Sequence, residues 1–335
     1  MLHVFLLEEV WRYVMKHLLL VNGLEAPLLR QFGCDCDRCH DPAPQANTSV
    51  SLVSLNGSGD TAHHILFDVG TAVTDNLFRS PYLLGRKARL DWLVLTHWHP
   101  DHVNDLNRLL VSYHLNRIWR GEEPTPVPVW CRSGTAVRLQ VEHQYEWETF
   151  LQPYVSGENN PPGTVLSPLP IHLPGVTITP VTVSHFGADW CAQNKEKSCY
   201  SCAAYVLETA VSKTVLLWDM DTENEWLVHP QTAAQETAVR LLSHADTLFL
   251  DTTYWLDKNK RMTHPGFPNV QRYARALNPR QTLLVHLSGH PDGRGNPGWG
   301  WTNARWQTEA QTVWAQQGLP GSVCVPAIGD VLEIG

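Results

Sequence analysis

The chain has 335 residues, room for two domains of about 150 residues or for one large one. Lys and Arg number 25 against 33 Asp and Glu, a formal charge of −8 that argues against a dedicated nucleic-acid binder, which would carry a basic face. At 43% hydrophobic and 17% charged, the composition supplies a core and excludes a disordered chain, while 14 Trp and 17 His point to aromatic packing and metal ligation.

In chain order, Met1–Leu20 is apolar but interrupted by Glu8, Glu9, Arg12 and Lys16, so it fits neither a signal peptide nor a membrane span. Met15-Lys16-His17 ahead of Leu18–Val21 looks like a natural start, and residues 1–15 read as an extension or a misassigned start. Cys34, Cys36 and Cys39 then fall within one short stretch. Eight Cys are too few for a disulfide scaffold, and this spacing suits a metal in a soluble, reduced, cytoplasmic protein.

Short apolar runs bounded by turn residues read as strands. They are Leu18–Val21, Ile65–Phe67, Trp92–Leu95, Val127–Trp130, Val176–Val183, Ala203–Leu207, Val215–Trp218, Thr247–Leu250, Thr282–Val285 and Val323–Val325. Amphipathic stretches at 104–116, 135–151, 231–244 and 268–277 read as helices. In the last, Val270, Tyr273 and Leu277 share one face, and Pro279 follows the end. Segments 156–170 and 289–301, rich in Pro, Gly and Asn, read as loops. Strands interleaved with helices imply a layered α/β domain, and no composition shift marks a second one.

The chemistry concentrates in Leu95-Thr96-His97-Trp98-His99-Pro100-Asp101-His102. A strand delivers two His at i and i+2, on the same side of an extended chain, and the following turn adds an Asp and a His. Imidazole and carboxylate are suitable ligands for zinc, manganese or iron.

Thr-His-x-His-x-Asp-His resembles the signature of the metallo-β-lactamase-fold hydrolases, and the resemblance runs over roughly residues 16–290. It implies a four-layer αββα sandwich, a single domain over 16–335 with loop insertions, and a binuclear metal site between the two sheets. It also implies roles for particular residues. Asp68, in Ile65-Leu-Phe-Asp68-Val-Gly70, would support the metal loop by hydrogen bonding. His185, after Val181-Thr-Val-Ser184, and His286, after Leu283-Leu-Val285, would be ligands. The bridging Asp follows Val215–Trp218. Asp219 and Asp221 share parity there, and the family pattern of strand then Asp-Thr favours Asp221. His97, His99 and His185 would hold one ion and Asp101, His102 and His286 the other, with Asp221 between them. Ions held about 3.5–4 Å apart would deprotonate a shared water near neutral pH and leave hydroxide as the nucleophile.

The three Cys offer three vertices of a tetrahedral zinc site that needs a fourth ligand. His290, four residues beyond His286, is the candidate. Phe32-Gly33-Cys34-x-Cys36-x-x-Cys39 with this late His resembles the PhnP-type phosphodiesterases of the carbon–phosphorus lyase pathway, which act on cyclic ribose phosphates. The accessory protein of pyrroloquinoline quinone biosynthesis carries a similar Cys cluster. Two departures stand out: Asn22-Gly23-Leu24-Glu25 replaces the usual glycine-rich turn, and extra segments lie near 110–165, 186–202 and beyond 290. The resemblance also sets His264, in Arg261-Met262-Thr263-His264-Pro265-Gly266, close to substrate, where an imidazole binds phosphate or protonates a leaving oxygen.

The leading expectation is a binuclear phosphodiesterase of a small cyclic or nucleotide-like phosphate, with Asp101 and His264 as catalytic residues. Two zinc or manganese ions, with iron as the third candidate, and one structural zinc are its cofactors. The alternatives are a lactone or carboxylic ester hydrolase on the same site and a cofactor-biosynthesis oxygenase or binding protein. Arg261 and Arg294 are candidate phosphate-facing cations. Trp98, Trp190, Trp299, Trp301 and Trp306 lie in or near the site loops, where core packing competes with a stacking wall. Cys199 and Cys202, with Cys191 upstream, have metal-like spacing, but burial as small hydrophobes accounts better for them and for Cys131 and Cys324. The expected partner is a small phosphate-containing molecule rather than a membrane or nucleic acid, and a homodimer is left open.

Overall fold

The computed structural model describes residues 15–335 except 158, 192–195, 198–199 and 257–262, and it leaves the side chains of 190, 191, 196 and 197 undescribed. The expectations for residues 1–14, Arg261, Cys199 and the side chains of Trp190 and Cys191 lie outside the described residues.

The strands β1 (Lys16–Gly23), β2 (Ser49–Leu55), β3 (Thr61–Phe67), β4 (Trp92–Val94), β5 (Val127–Arg132) and β6 (Leu151–Ser156) build a first sheet. A second begins with β7 (Thr177–Thr182) and, after a small ribbon of β8 (Trp190–Cys191) and β9 (Glu196–Lys197), continues with β10 (Ala203–Glu208), β11 (Lys213–Leu217), β12 (Thr247–Asp251), β13 (Gln281–Val285) and β14 (Ser322–Cys324). The last strand, β15 (Val331–Glu333), returns to the first sheet beside β1. The orders are β15-β1-β2-β3-β4-β5-β6 and β14-β13-β12-β11-β10-β7. Each sheet joins an antiparallel part to a parallel one, β3–β6 in the first and β11–β14 in the second.

Both sheets are covered on two faces, which is why their strands appear in the sequence as unbroken apolar runs. Leu19, Val21, Leu52, Ile65 and Phe67 join the core between the sheets. Their neighbours of opposite parity, Leu18, Leu20, Val53 and Leu66, pack with Val73 and Leu77 of the helix Val73–Leu77 and with Leu106 and Leu110 of the helix Leu106–Trp119. On the other flank, the helices Ala233–Leu242, Phe267–Leu277 and Asn303–Gln316 bring Leu242, Tyr273 and Trp306 onto the second sheet. The layers are helix, sheet, sheet, helix, as expected. Among the described residues no helix is long and apolar enough to cross a membrane.

Besides the β8–β9 ribbon, three strands of the two large sheets escape the apolar-run criterion. β2 carries Ser49, Ser51 and Ser54, all buried, and satisfies them with Asn22, the Asp68 carbonyl, His64 and His17. β6 is largely exposed, and β15 has three residues. The stretch 135–151 divides into helices Ser133–Glu142 and Gln144–Thr149 at His143, and Leu151 already belongs to β6. Asn303–Gln316, not anticipated, buries Trp306, Ala310 and Trp314 at helical spacing.

The candidate site residues gather at one end of the sandwich because they follow the carboxyl ends of strands. Asp68 follows β3, His97–His102 follow β4, His185 follows β7, Asp219 follows β11, and His286 follows β13.

Candidate metal centres

Donor atoms of His97, His99, His185 and Asp219 lie within 4.8 Å of one another, and so do those of Asp101, His102, Asp219 and His286. Asp219 belongs to both groups. Its Oδ2 is 2.5 Å from His102 Nε2 and 3.2 Å from His97 Nε2, and its Oδ1 is 3.1 Å from His185 Nε2. Asp101 Oδ2 stands 3.2 Å from both His102 Nε2 and His286 Nε2. The two three-residue sets named from the sequence are therefore each brought together. The expectation for the carboxylate between them is corrected: Asp219 occupies that place, and Asp221 does not.

The reason is the backbone. β11 ends at Leu217, and Asp219 adopts φ 60, so strand parity no longer governs where its side chain points. Asp221 is spent on the loop, accepting from Ser184 Oγ at 2.8 Å and from the Glu223 N–H at 2.9 Å. Asn224 fastens the same loop to Ser184 through both main-chain groups, at 2.9 and 2.8 Å.

Asp68 makes the hydrogen bonds that a supporting role would need. Its carboxylate accepts from the Thr96 N–H at 2.8 Å, the Thr96 hydroxyl at 2.7 Å and the Trp218 indole at 2.9 Å, and it meets His102 Nδ1 at 2.8 Å. That contact leaves His102 Nε2 for the cluster. Asp251, which the sequence reading missed, does the same on the other side. It accepts from the Thr253 hydroxyl at 2.9 Å, and that hydroxyl meets His286 Nδ1 at 2.8 Å. Its other oxygen meets His264 Nδ1 at 3.0 Å. The available signal was an Asp closing an apolar strand, the same pattern as Asp68. His286 and His264 also adopt positive φ, 56 and 45, backbone strain that persists only where surrounding structure holds it.

Without a cation the donors divide: the carboxylates ionise, His97 and His185 are held neutral, and His102, although burial opposes it, is raised well above its usual range by Asp101, Asp68 and Asp219. Burial opposes ionisation of Asp219, yet His185, His286 and His97 outweigh it and hold the carboxyl well below the usual range. Burial drives His185 down to about 3 and His97 well below normal, so both imidazoles are neutral at pH 7. His264 goes the other way: burial lowers it, but Asp251 and Asp219 prevail and raise it to about 9. The residues fit a cation pair. His97 Nε2, His102 Nε2 and Asp219 Oδ1 are buried and make no hydrogen bond of good geometry among the described residues, although oxygen and nitrogen donors surround them. Deprotonated carboxylate and neutral imidazole are the forms a divalent metal requires.

The Cys loop and His290 gather a second group of candidate donors. Cys34, Cys36 and Cys39 Sγ lie 3.3, 3.4 and 3.4 Å from His290 Nε2. A tetrahedral zinc with bonds of about 2.3 Å to sulfur and 2.0 Å to nitrogen has an S–N edge of about 3.5 Å. The four donors fit that edge. Burial raises the Cys36 thiol to about 11, so its thiolate calls for a cation beside it.

Other candidates fall elsewhere. Arg294 pairs at the surface with Asp35, 3.2 Å away, beside the Cys loop rather than among the clustered His. Trp301 and Trp306 are core residues, Trp299 packs on His290, and Trp98 packs edge-on against His99 at 4.6 Å. Cys131 and Cys202 are buried, and Cys202 donates to the Asp219 carbonyl.

The Beta-lactamase superfamily domain family matches residues 63–287. No curated protein matches the chain. Among solved structures, the metallo-β-lactamase-fold protein YhfI from Bacillus subtilis aligns with a TM-score of 0.61 at 17% identity, over 96% of this chain and 100% of YhfI. A diphosphatase from the PhnP family aligns at 0.59 and 19%, over 96% and 98%. Yeast PDE1 aligns at 0.57 and 11%, over 96% and 100%. At these identities the likeness is one of fold.

Proposed function

The chain belongs to the β-lactamase superfamily domain family and has the metallo-β-lactamase fold, and on that premise we propose that it is a binuclear metal-dependent phosphodiesterase acting on a small cyclic or nucleotide-like phosphate. The observation that carries this reading is one carboxylate, Asp219, shared by two donor groups, with His264 Nδ1 3.3 Å from its Oδ1. His97, His99 and His185 would hold one cation and Asp101, His102 and His286 the other. Zinc or manganese suits these donors, with iron as the third candidate. Bound there, the cations supply Lewis-acid charge for a phosphoryl oxygen and bring the ionisation of water near neutral pH.

The chain's own residues do the rest. Asp68 and Thr253 hold the imidazoles of His102 and His286 by their Nδ1 atoms, so each presents Nε2. Asp101 stays ionised: burial opposes this, but His102 and His286 overcome it. His264 gives its Nδ1 proton to the hydrogen bond with Asp251, and its second proton, on Nε2, serves the departing oxygen of a phosphodiester as general acid. Phosphate chemistry gains support from the names of two fold neighbours, the PhnP-family diphosphatase and yeast PDE1. The Cys34, Cys36, Cys39 and His290 set would hold a structural zinc, which requires reduced thiols and suits a cytoplasmic setting.

The test is hydrolysis by metal-loaded protein of bis-p-nitrophenyl phosphate, set beside a panel of lactones and carboxylic esters. Turnover of the phosphodiester is expected. Turnover of lactones alone would remove the phosphate reading, and iron content with oxygen uptake would favour the oxygenase alternative.

A further inference from the structure

Between the two centres lies a buried ion pair that neither centre uses. Arg38, in the Cys loop between Cys36 and Cys39, is 1% exposed and pairs with Glu25, which is 0% exposed. The guanidinium also donates to the Trp301 carbonyl at 3.1 Å and to Asn303 Oδ1 at 2.9 Å, and Asn303 Nδ2 returns to Glu25 Oε1 at 3.2 Å. The stem of Arg38 lies against Gly289, where an added Cβ would come within 2.3 Å of its Cδ. Gly289 stands beside His290, the fourth member of the Cys group, and three residues beyond His286.

The backbone of Glu25 reaches the catalytic end in two directions. Toward the second sheet, the Leu287 N–H donates to the Leu24 carbonyl and the Ala26 N–H to the Leu287 carbonyl, both at 3.0 Å. These bonds grip the residue immediately after His286, whose φ of 56 needs such support. Toward the first sheet, Glu25 bridges Asn47, and Asn47 Oδ1 accepts from the Thr71 N–H at 2.8 Å. Next to Thr71, Gly70 backs onto Asp101 so closely that an added Cβ would lie 1.7 Å from the Asp101 carbonyl oxygen. Asp101 and His286 belong to the same donor group. His97, His99 and His185 have no part in these contacts.

We propose that Arg38 and Glu25 are positioning residues that couple the Cys34–Cys36–Cys39–His290 cluster to the cation position of Asp101, His102 and His286, so that affinity there depends on the cluster being filled. The inference rests on the binuclear reading above. Filling the cluster pins the Cys loop to His290 and so seats Arg38. Emptying it frees the loop, leaves Glu25 as a buried carboxylate without its partner, and loosens the segment 24–26 that supports Asp101 and His286.

The experiment titrates Co2+ into full-length protein whose catalytic ions have been removed and whose cluster keeps zinc, reading each equivalent from its visible absorption. A His286→Ala variant identifies the equivalent that belongs to the Asp101 group. Wild-type protein should bind two equivalents. In Arg38→Met the Asp101-group equivalent should weaken by about 10–100-fold, the range for lost outer-shell support, while the other equivalent holds. Arg38→Lys, which restores a cation for Glu25, should recover much of the loss. Equal weakening of both equivalents, or of neither, overturns the coupling. If Arg38→Met does not fold, the cluster zinc of wild-type protein is displaced with a mercurial thiol reagent and the titration repeated. Selective weakening again supports the proposal, and an unchanged second equivalent overturns it. Wild-type protein that binds fewer than two equivalents defeats the binuclear reading itself, before any variant is compared.

Discussion

The two centres are built in opposite ways. The Cys group takes three donors from one tight, half-exposed loop and adds a single remote His. The His/Asp group takes its donors from the ends of β4, β7, β11 and β13, in both sheets, and buries nearly all of them. The first can be disturbed by freeing one loop. The second exists only while two sheets stay packed, so its geometry inherits the rigidity of the core. The Cys group is accordingly suited to fastening chain segments, and the His/Asp group to holding charge in fixed positions.

The sharpest way to break the comparison is at Asp219. Asp219→Asn should lower hydrolysis by roughly 10³-fold, comparable to removing a central electrostatic stabiliser, and should reduce bound catalytic metal. Asp221→Asn should keep both ions, measured by elemental analysis, and cost about 1–3 kcal/mol of stability through its lost loop contacts. If the two variants traded phenotypes, the shared-carboxylate assignment would be wrong.

His264→Ala should cost about 10²–10⁴-fold on phosphodiesters with poor leaving groups and distinctly less on p-nitrophenyl esters, which need no proton to depart. Equal losses on both would deny it the acid role. Cys36→Ser should release zinc and lower the Tm by roughly 5 °C or more, as a loss of a few kcal/mol does in a chain of this size. With saturating cation, its turnover per folded molecule should stay near that of the wild type. Unchanged zinc content and Tm would remove the structural role.

The smallest effect lies in neither centre. Burial lowers His64 to about 4, and its ring is held neutral between Ser51 and the Arg89 carbonyl. The unfolded chain binds this proton near pH 6.5 and the folded chain does not. Its stabilising contribution is therefore complete above about pH 6.5 and declines as pH falls toward 4. At pH 5 the loss is on the order of 1–2 kcal/mol. Urea midpoints of metal-free wild type and His64→Asn should converge as pH drops. Parallel curves would assign the acid sensitivity elsewhere.

Much of this protein was legible before folding was considered. Thr96–His102 reads as a donor set because four donors crowd behind a buried strand, and Cys34, Cys36 and Cys39 read as another because their tight spacing brings three thiols together. Fully covered strands betray themselves as apolar runs, which is why most of both sheets could be traced. β2 could not, because its three serines are satisfied by partners on β1 and β3 and by the loop after β3, and no one-dimensional pattern reveals distant partners. Asp251 stayed hidden for the same reason, since its work is done on His264 and, through Thr253, on His286.

By itself, then, the order of residues determined the sandwich, the superfamily and most of the side chains at its open end, because burial and short-range spacing leave periodic traces. It left undecided which of Asp219 and Asp221 turns inward, since both follow the same strand with the same parity. Packing settled that: a positive φ at Asp219 swings its carboxylate to the His cluster, while Ser184 and Asn224, from another strand end and the loop, claim Asp221. A backbone reversal and a competing partner are properties of the folded chain, and they appear only when the two sheets meet.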